Sequence, residues 1–157
     1  MSRTSVCTTL VCCLLAMAAS ASAQSRKPGL WTITTTVHYP PSANAAPGRP
    51  TTMGPFNTDV CLTQALIDKY GAPLPQIKDC KVTSFNRKAN SVTADLVCSG
   101  ATTGKATMES TWTADHATGS IHVVTTAPRA TEWTSNSTSV FKSADCGSVQ
   151  PYPMPAQ

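Results

Sequence analysis

The chain has 157 residues, a formal net charge of +4, and 13% charged against 41% hydrophobic side chains. That length suits one domain with a core of its own. The charge is small and dispersed, which gives no reason to invoke nucleic acid.

The first two dozen residues read as an export signal. Arg3 supplies a positive start, Val6 to Ala19 form an apolar stretch, and Ala21-Ser22-Ala23 offers a small-residue cleavage site before Gln24. A bilayer-spanning helix needs about 20 apolar residues, and this run is shorter and ends in small residues. Residues 1–23 are therefore expected to be removed after Ala23, leaving a periplasmic or secreted protein with no membrane span. Removing them takes Arg3 and three cysteines away, so 134 residues remain with 11 basic and 8 acidic side chains. The cysteines left are Cys61, Cys80, Cys98 and Cys146. An even number in an oxidising compartment reads as two disulfides, with three connectivities open. No Cys-x-x-Cys occurs, so neither a redox motif nor a zinc knuckle is indicated.

Leu30 to Tyr39 alternates with period two: Trp31, Ile33, Val37 and Tyr39 on one face, Thr32, Thr34, Thr36 and His38 on the other. This predicts a strand with one wet face. A Pro-rich loop over 40–55, with Pro40, Pro47, Pro50 and Pro55, is expected next. A short strand is expected over Phe56–Cys61. Thr63 to Tyr70 predicts the one helix, with Thr63 as N-cap, Leu62 stapled onto Ile67, and Gly71 and Pro73 as stop signals.

From Cys80 the chain reads as a meander. Lys81–Asn86 and Ser91–Cys98 flank a turn containing Arg87, Lys88 and Asn90. Pairing residues whose numbers sum to 178 sets Val82 opposite Leu96, Ser84 opposite Ala94 and Cys80 opposite Cys98. One register thus aligns the apolar faces and two sulfurs. It predicts a Cys80–Cys98 bridge and leaves Cys61 with Cys146 by elimination. The competing pattern is Cys61–Cys80 with Cys98–Cys146. Lys105–Thr113 predicts a strand with Ala106, Met108 and Trp112 on one side. A turn around Asp115–Gly119 leads to Ser120–Thr126, where Ile121 and Val123 continue the apolar face, and Thr131–Lys142 makes the last strand. The fold class is all-β with one short helix: an antiparallel meander forming a curved sheet or partly open barrel. The single β-rich domain spans 24–148, and 149–157 reads as a disordered tail.

Lys27-Pro28-Gly29-Leu30-Trp31-Thr32-Ile33 after a signal, then Val60-Cys61-Leu62-Thr63, Asp79-Cys80, Cys98-Ser99-Gly100 and Asp145-Cys146, resemble the domain of unknown function 3617 family of small exported proteins. Gln64-Ala65 stands where members commonly carry Pro-Glu. The resemblance implies export and a disulfide-tied β domain, and it implies no activity.

A search for catalytic chemistry returns little. His38, His116 and His122 all read as solvated, with no metal site among them. The carboxylates Asp59, Asp68, Asp79, Asp95, Asp115, Asp145, Glu109 and Glu132 are scattered, and Asp95 falls on an outward strand position. No Gly-x-Ser-x-Gly elbow or phosphate cradle occurs. Asn136-Ser137-Thr138 fits a sequon by coincidence. Lys78, Lys81, Arg87 and Lys88 read as a solvated hairpin edge. Trp31, Trp112, Trp133 and Phe141 fall on inward parities. They form either an aromatic core or an apolar groove able to hold a lipid or peptide. The expectation is a monomeric, non-catalytic binding or accessory protein of the envelope, without cofactor, metal or nucleic acid. Its partner would be an apolar small molecule or an envelope protein. The alternatives are a structural protein docking through its Thr-rich face and a hydrolase with a diffuse Ser/His/Asp site.

Overall fold

The computed structural model describes residues 25–41 and 51–154. The expected export signal and its expected cleavage point before Gln24, residues 42–50 of the expected Pro-rich loop and residues 155–157 lie outside the described residues. Seven strands and one helix follow in the order β1 (Gly29–His38), β2 (Thr52–Leu62), α1 (Gln64–Tyr70), β3 (Cys80–Arg87), β4 (Ser91–Cys98), β5 (Thr103–Trp112), β6 (His116–Ala127) and β7 (Thr131–Ser143). They form one antiparallel sheet in the order β2-β1-β7-β6-β5-β4-β3. The sheet is open, with β2 and β3 as its two edges.

The period-two pattern becomes a two-faced sheet. Along β4, Val92, Ala94, Leu96 and Cys98 are buried while Thr93, Asp95 and Val97 are exposed. Along β5, Ala106, Met108, Ser110 and Trp112 are buried. The inner face packs against α1 and the segment after it: Trp31, Leu62, Leu66, Ile67, Ala72, Leu74, Met108 and Trp112 share one core cluster. A smaller cluster of Leu96, Ala106 and Val123 lies beside it, with Ile77 and Trp133 packed against it.

The helix is built as its sequence indicates. The Thr63 hydroxyl accepts from Leu66 N at 3.2 Å, which satisfies one of the free amides of the first turn. Gly71 ends the helix at φ 75°, its N–H donating to Ile67 O. Two turns cannot stand alone in water, and burial of Leu66 and Ile67 holds them.

Cys80 is bonded to Cys98 and Cys61 to Cys146. The first joins directly opposed residues of β3 and β4. The second ties the end of β2 to the chain just past β7.

Four expectations differ from what is seen. The hairpin register holds for Cys80, Val82 and Leu96, but a bulge at Thr83 then sets Ser84 opposite Asp95 and Phe85 opposite Ala94. An unbroken register would send Phe85 to the solvent face. The extra residue puts it on the same face as Ala94, where it remains 38% exposed and packs edge-on against Tyr70 at 5.6 Å. Secondly, β2 begins at Thr52, so Met53 to Pro55 belong to a strand rather than a loop. Proline is tolerated there because β2 is an edge strand and its pairing with β1 shifts at this point.

The third difference is the turn expected over Asp115–Gly119, which lies earlier. Thr113 N donates to His116 O at 2.8 Å, the Thr113 hydroxyl accepts from His116 N, and Gly119 sits inside β6 opposite Ser110. Finally, residues 149–154 are not free of the domain. Pro151 bridges Cys61, Tyr152 N donates to Cys61 O at 2.8 Å, and the Tyr152 hydroxyl donates to Leu74 O at 2.8 Å.

Candidate functional site

On the inner face, one row across β5, β6 and β7 carries only serine and glycine. Ser110 of β5 pairs with Gly119 of β6, and Gly119 pairs with Ser137 of β7. Two rungs on, Trp112, Ala117 and Ser139 lie side by side in the same way. Small residues at adjacent positions leave space between the sheet and the chain that leaves α1. A cavity of about 60 Å³ results, roofed by Ala72 and Pro73 and walled by Ile33, Met108 and Ile121, with Ser110, Ser137 and Ser139 on its floor. Gly119 thins the sheet at this point. On the outer face a wider, more open depression of about 390 Å³ lies over the same row, between Thr111, Thr118, Asn136 and Thr138.

Arg26 closes one side of the inner cavity. Only 2% of the residue is exposed. Its guanidinium lies 4.2 Å from the ring centroid of Trp31, and Trp31 is itself held by donating its indole N–H to Lys27 O at 2.9 Å. On its other contact Trp31 meets Phe141 edge-on at 5.7 Å. Arg26 Nε is buried without a hydrogen-bond acceptor among the described residues, and neither ion pair found there involves Arg26. Burial lowers its pKa to about 10, so the side chain is a cation at neutral pH. Removal from water disfavours the charged form.

The residues singled out from the sequence fall elsewhere. Trp31 and Trp112 are 0% and 4% exposed and lie in the main core cluster, with Phe141 packed against it. Trp133 packs on the smaller cluster. None of the four borders either depression. Cys61, Cys80, Cys98 and Cys146 are all consumed in disulfides.

The histidines are spread over the outer face. His122 lies 3.0 Å from Glu132, His38 lies 3.2 Å from the Thr52 hydroxyl, and His116 sits beside Asp115 in the turn. His122 pairs with Thr134, and Thr134 with His38. The two rings are thus two strand spacings apart, about 10 Å. Among the described residues no group of three His, Cys, Asp or Glu side chains could hold a metal ion. The basic hairpin edge is partly structural, since the Arg87 guanidinium donates to Asp68 O near the end of α1.

Arg26 is the site residue that sequence reasoning missed. Arg26 and Lys27 lie ahead of the first strand, where no periodicity marks either residue. The family model described as "Protein of unknown function (DUF3617)" matches residues 26–146. The chain belongs to this family. The match opens on Arg26 and closes on Cys146, so the DUF3617 domain takes in the Arg26–Trp31 stack, the whole sheet and both disulfides. No curated protein and no solved structure matches the chain. The DUF3617 domain has no helix among its described residues long and apolar enough to cross a membrane.

Proposed function

We propose that this DUF3617 protein is an exported, non-catalytic binding protein of the cell envelope. It holds a small, partly apolar molecule against the inner face of its sheet. The observation that carries this reading is the cavity between the Ser110–Gly119–Ser137 row and Ala72–Pro73. Serines and a glycine at adjacent inward positions leave room for a ligand where larger side chains would otherwise pack and stabilise the fold. The histidines stand away from it and from each other, which favours binding over acid–base chemistry. Export is supported by the signal-like pattern of residues 1–23 and by two disulfides, which persist in oxidising compartments.

A second reading has its own observation. On edge strand β2, Met53 and Phe56 are 46% and 49% exposed, and an exposed edge with apolar side chains is a place for another chain to dock. Native mass spectrometry of protein purified from its own host separates the two. A co-purifying small molecule is the expected result. A co-purifying polypeptide and no small molecule would transfer the function to the β2 edge.

A further inference from the structure

Arg26 poses a physical question that the fold alone does not answer. A guanidinium carries five N–H donors and a permanent charge at neutral pH. Enclosing one without an acceptor costs several kcal/mol in general, and buried arginines are accordingly found paired. Here the residue is 2% exposed, Nε has no acceptor among the described residues, and the partner seen among them is the face of Trp31 at 4.2 Å. A ring face attracts the cation but accepts none of its N–H donors in the way an oxygen does. The stack also does something geometric: it fixes the plane of the guanidinium. The same residue borders the cavity whose floor carries Ser110, Ser137 and Ser139.

Two of those hydroxyls are committed to the backbone as donors. Ser110 donates to Thr118 O at 2.9 Å and Ser137 to Gly119 O at 3.3 Å. The Ser139 hydroxyl, on a residue 6% exposed, has no such commitment among the described residues. The one carboxylate on the cavity rim is Glu109. Its neighbours in the register, Ser120 and Asn136, belong to the outer face, and it makes no ion pair with Arg26.

We infer that Arg26 is the anchor of a carboxylate-binding site, with the acid group of the ligand seated between the guanidinium and the Ser139 hydroxyl. The fork of a guanidinium matches the two oxygens of a carboxylate, and such charge-assisted pairs are strongest where water is excluded. At about 60 Å³ the cavity takes the acid group and a short aliphatic stem. Ile33, Met108 and Ile121 suit such a stem. The ligand is therefore a short-chain carboxylic acid held whole, or the acid end of a longer aliphatic molecule whose body lies outside. This inference rests on the binding reading above and names the chemistry of its ligand.

The test is a titration of the intact, oxidised protein followed at the Arg26 side-chain Nε–H resonance. Sodium butyrate and sodium octanoate are the probes, with sodium chloride as the ionic-strength control. Butyrate should move the resonance saturably, with half-saturation on the order of millimolar for so small a ligand. Octanoate binding at least tenfold tighter would identify a longer acid, and equal binding a short one; both support the site. Arg26→Gln should abolish the response of the cavity residues. Arg26→Lys, which keeps charge but loses the fork, should weaken it about tenfold. Should either variant fail to fold, the wild-type titration decides alone. An Nε–H that responds to chloride as it does to butyrate overturns the inference. So does one that stays still to about 50 mM carboxylate, far above the expected constant. A neutral ligand on the host-purified protein would overturn it as well, while leaving the binding reading intact.

Discussion

The guanidinium of Arg26 lies 4.2 Å from the ring of Trp31, and the two residues are 2% and 0% exposed. A buried cation stacked on a buried indole gains from the ring and loses hydration. Methionine has similar volume and no charge. Arg26→Met should therefore leave stability unchanged or raise it by about 1–3 kcal/mol, as replacing buried charges by apolar groups often does. Chemical denaturation measures this. A loss of more than about 2 kcal/mol would mean that the cation–π contact holds the fold, and that the charge is structural.

Gly71 faces Trp112 across the core. A Cβ at position 71 would overlap the indole ring, and φ is 75°, where side chains other than glycine are strained. Both effects act in Gly71→Ala, and together they should cost about 2–4 kcal/mol. In a domain of this size that lowers the melting temperature by roughly 10 °C. Thermal unfolding followed by circular dichroism reads it.

The disulfides close loops of very different length, with sequence separations of 85 for Cys61–Cys146 and 18 for Cys80–Cys98. In the chain-entropy account the longer loop contributes about 4–5 kcal/mol and the shorter about 3 kcal/mol. The double variant Cys61→Ser, Cys146→Ser should therefore melt below Cys80→Ser, Cys98→Ser. Non-reducing peptide mapping of the wild type should give these two pairs and no peptide joining Cys61 to Cys80.

Tyr152 pins the chain end by donating to Leu74 O at 2.8 Å. Burial raises its pKa above the ordinary phenol value. The protonated phenol is the form that the fold favours. Its contribution is complete below the unfolded value near 10 and is lost as pH rises through the higher folded value. Tyr152→Phe should cost about 1 kcal/mol at pH 7. The gap between the melting temperatures of variant and wild type should close above pH 10. No gap at pH 7 would mean that the hydroxyl contributes nothing, and a gap that persists unchanged above pH 10 would mean that its contribution does not depend on the phenol proton.

The sequence was most informative where one face of a strand is buried. Alternation marked β1, β4 and β5, and the shared register of Val82, Leu96 and the two cysteines marked the β3–β4 hairpin with its bridge. What stayed hidden needed knowledge of what lies opposite. Gly119 reads as a turn residue in the sequence, yet it lies within β6, where a Cβ would come 3.0 Å from Ser137 Oγ across the strand pair. The bulge at Thr83 accompanies a contact of Phe85 with Tyr70 on the helix, which the hairpin's own pattern does not contain. Tyr152 finds its partner on Leu74, 78 residues back in the chain. The candidate site was the least legible part. A cavity is made by what is missing from several strands at once, and Arg26 stands outside every periodic pattern.

The most direct measurement of the binding claim compares wild type with Ser137→Leu, a substitution that fills the cavity from its floor. Both proteins are purified from the native host and examined by native mass spectrometry under identical conditions. The account predicts a small-molecule adduct on the wild type and none on the variant, with both proteins showing the same circular dichroism. The same adduct on both proteins would contradict it, and so would an accompanying polypeptide with no small molecule on either.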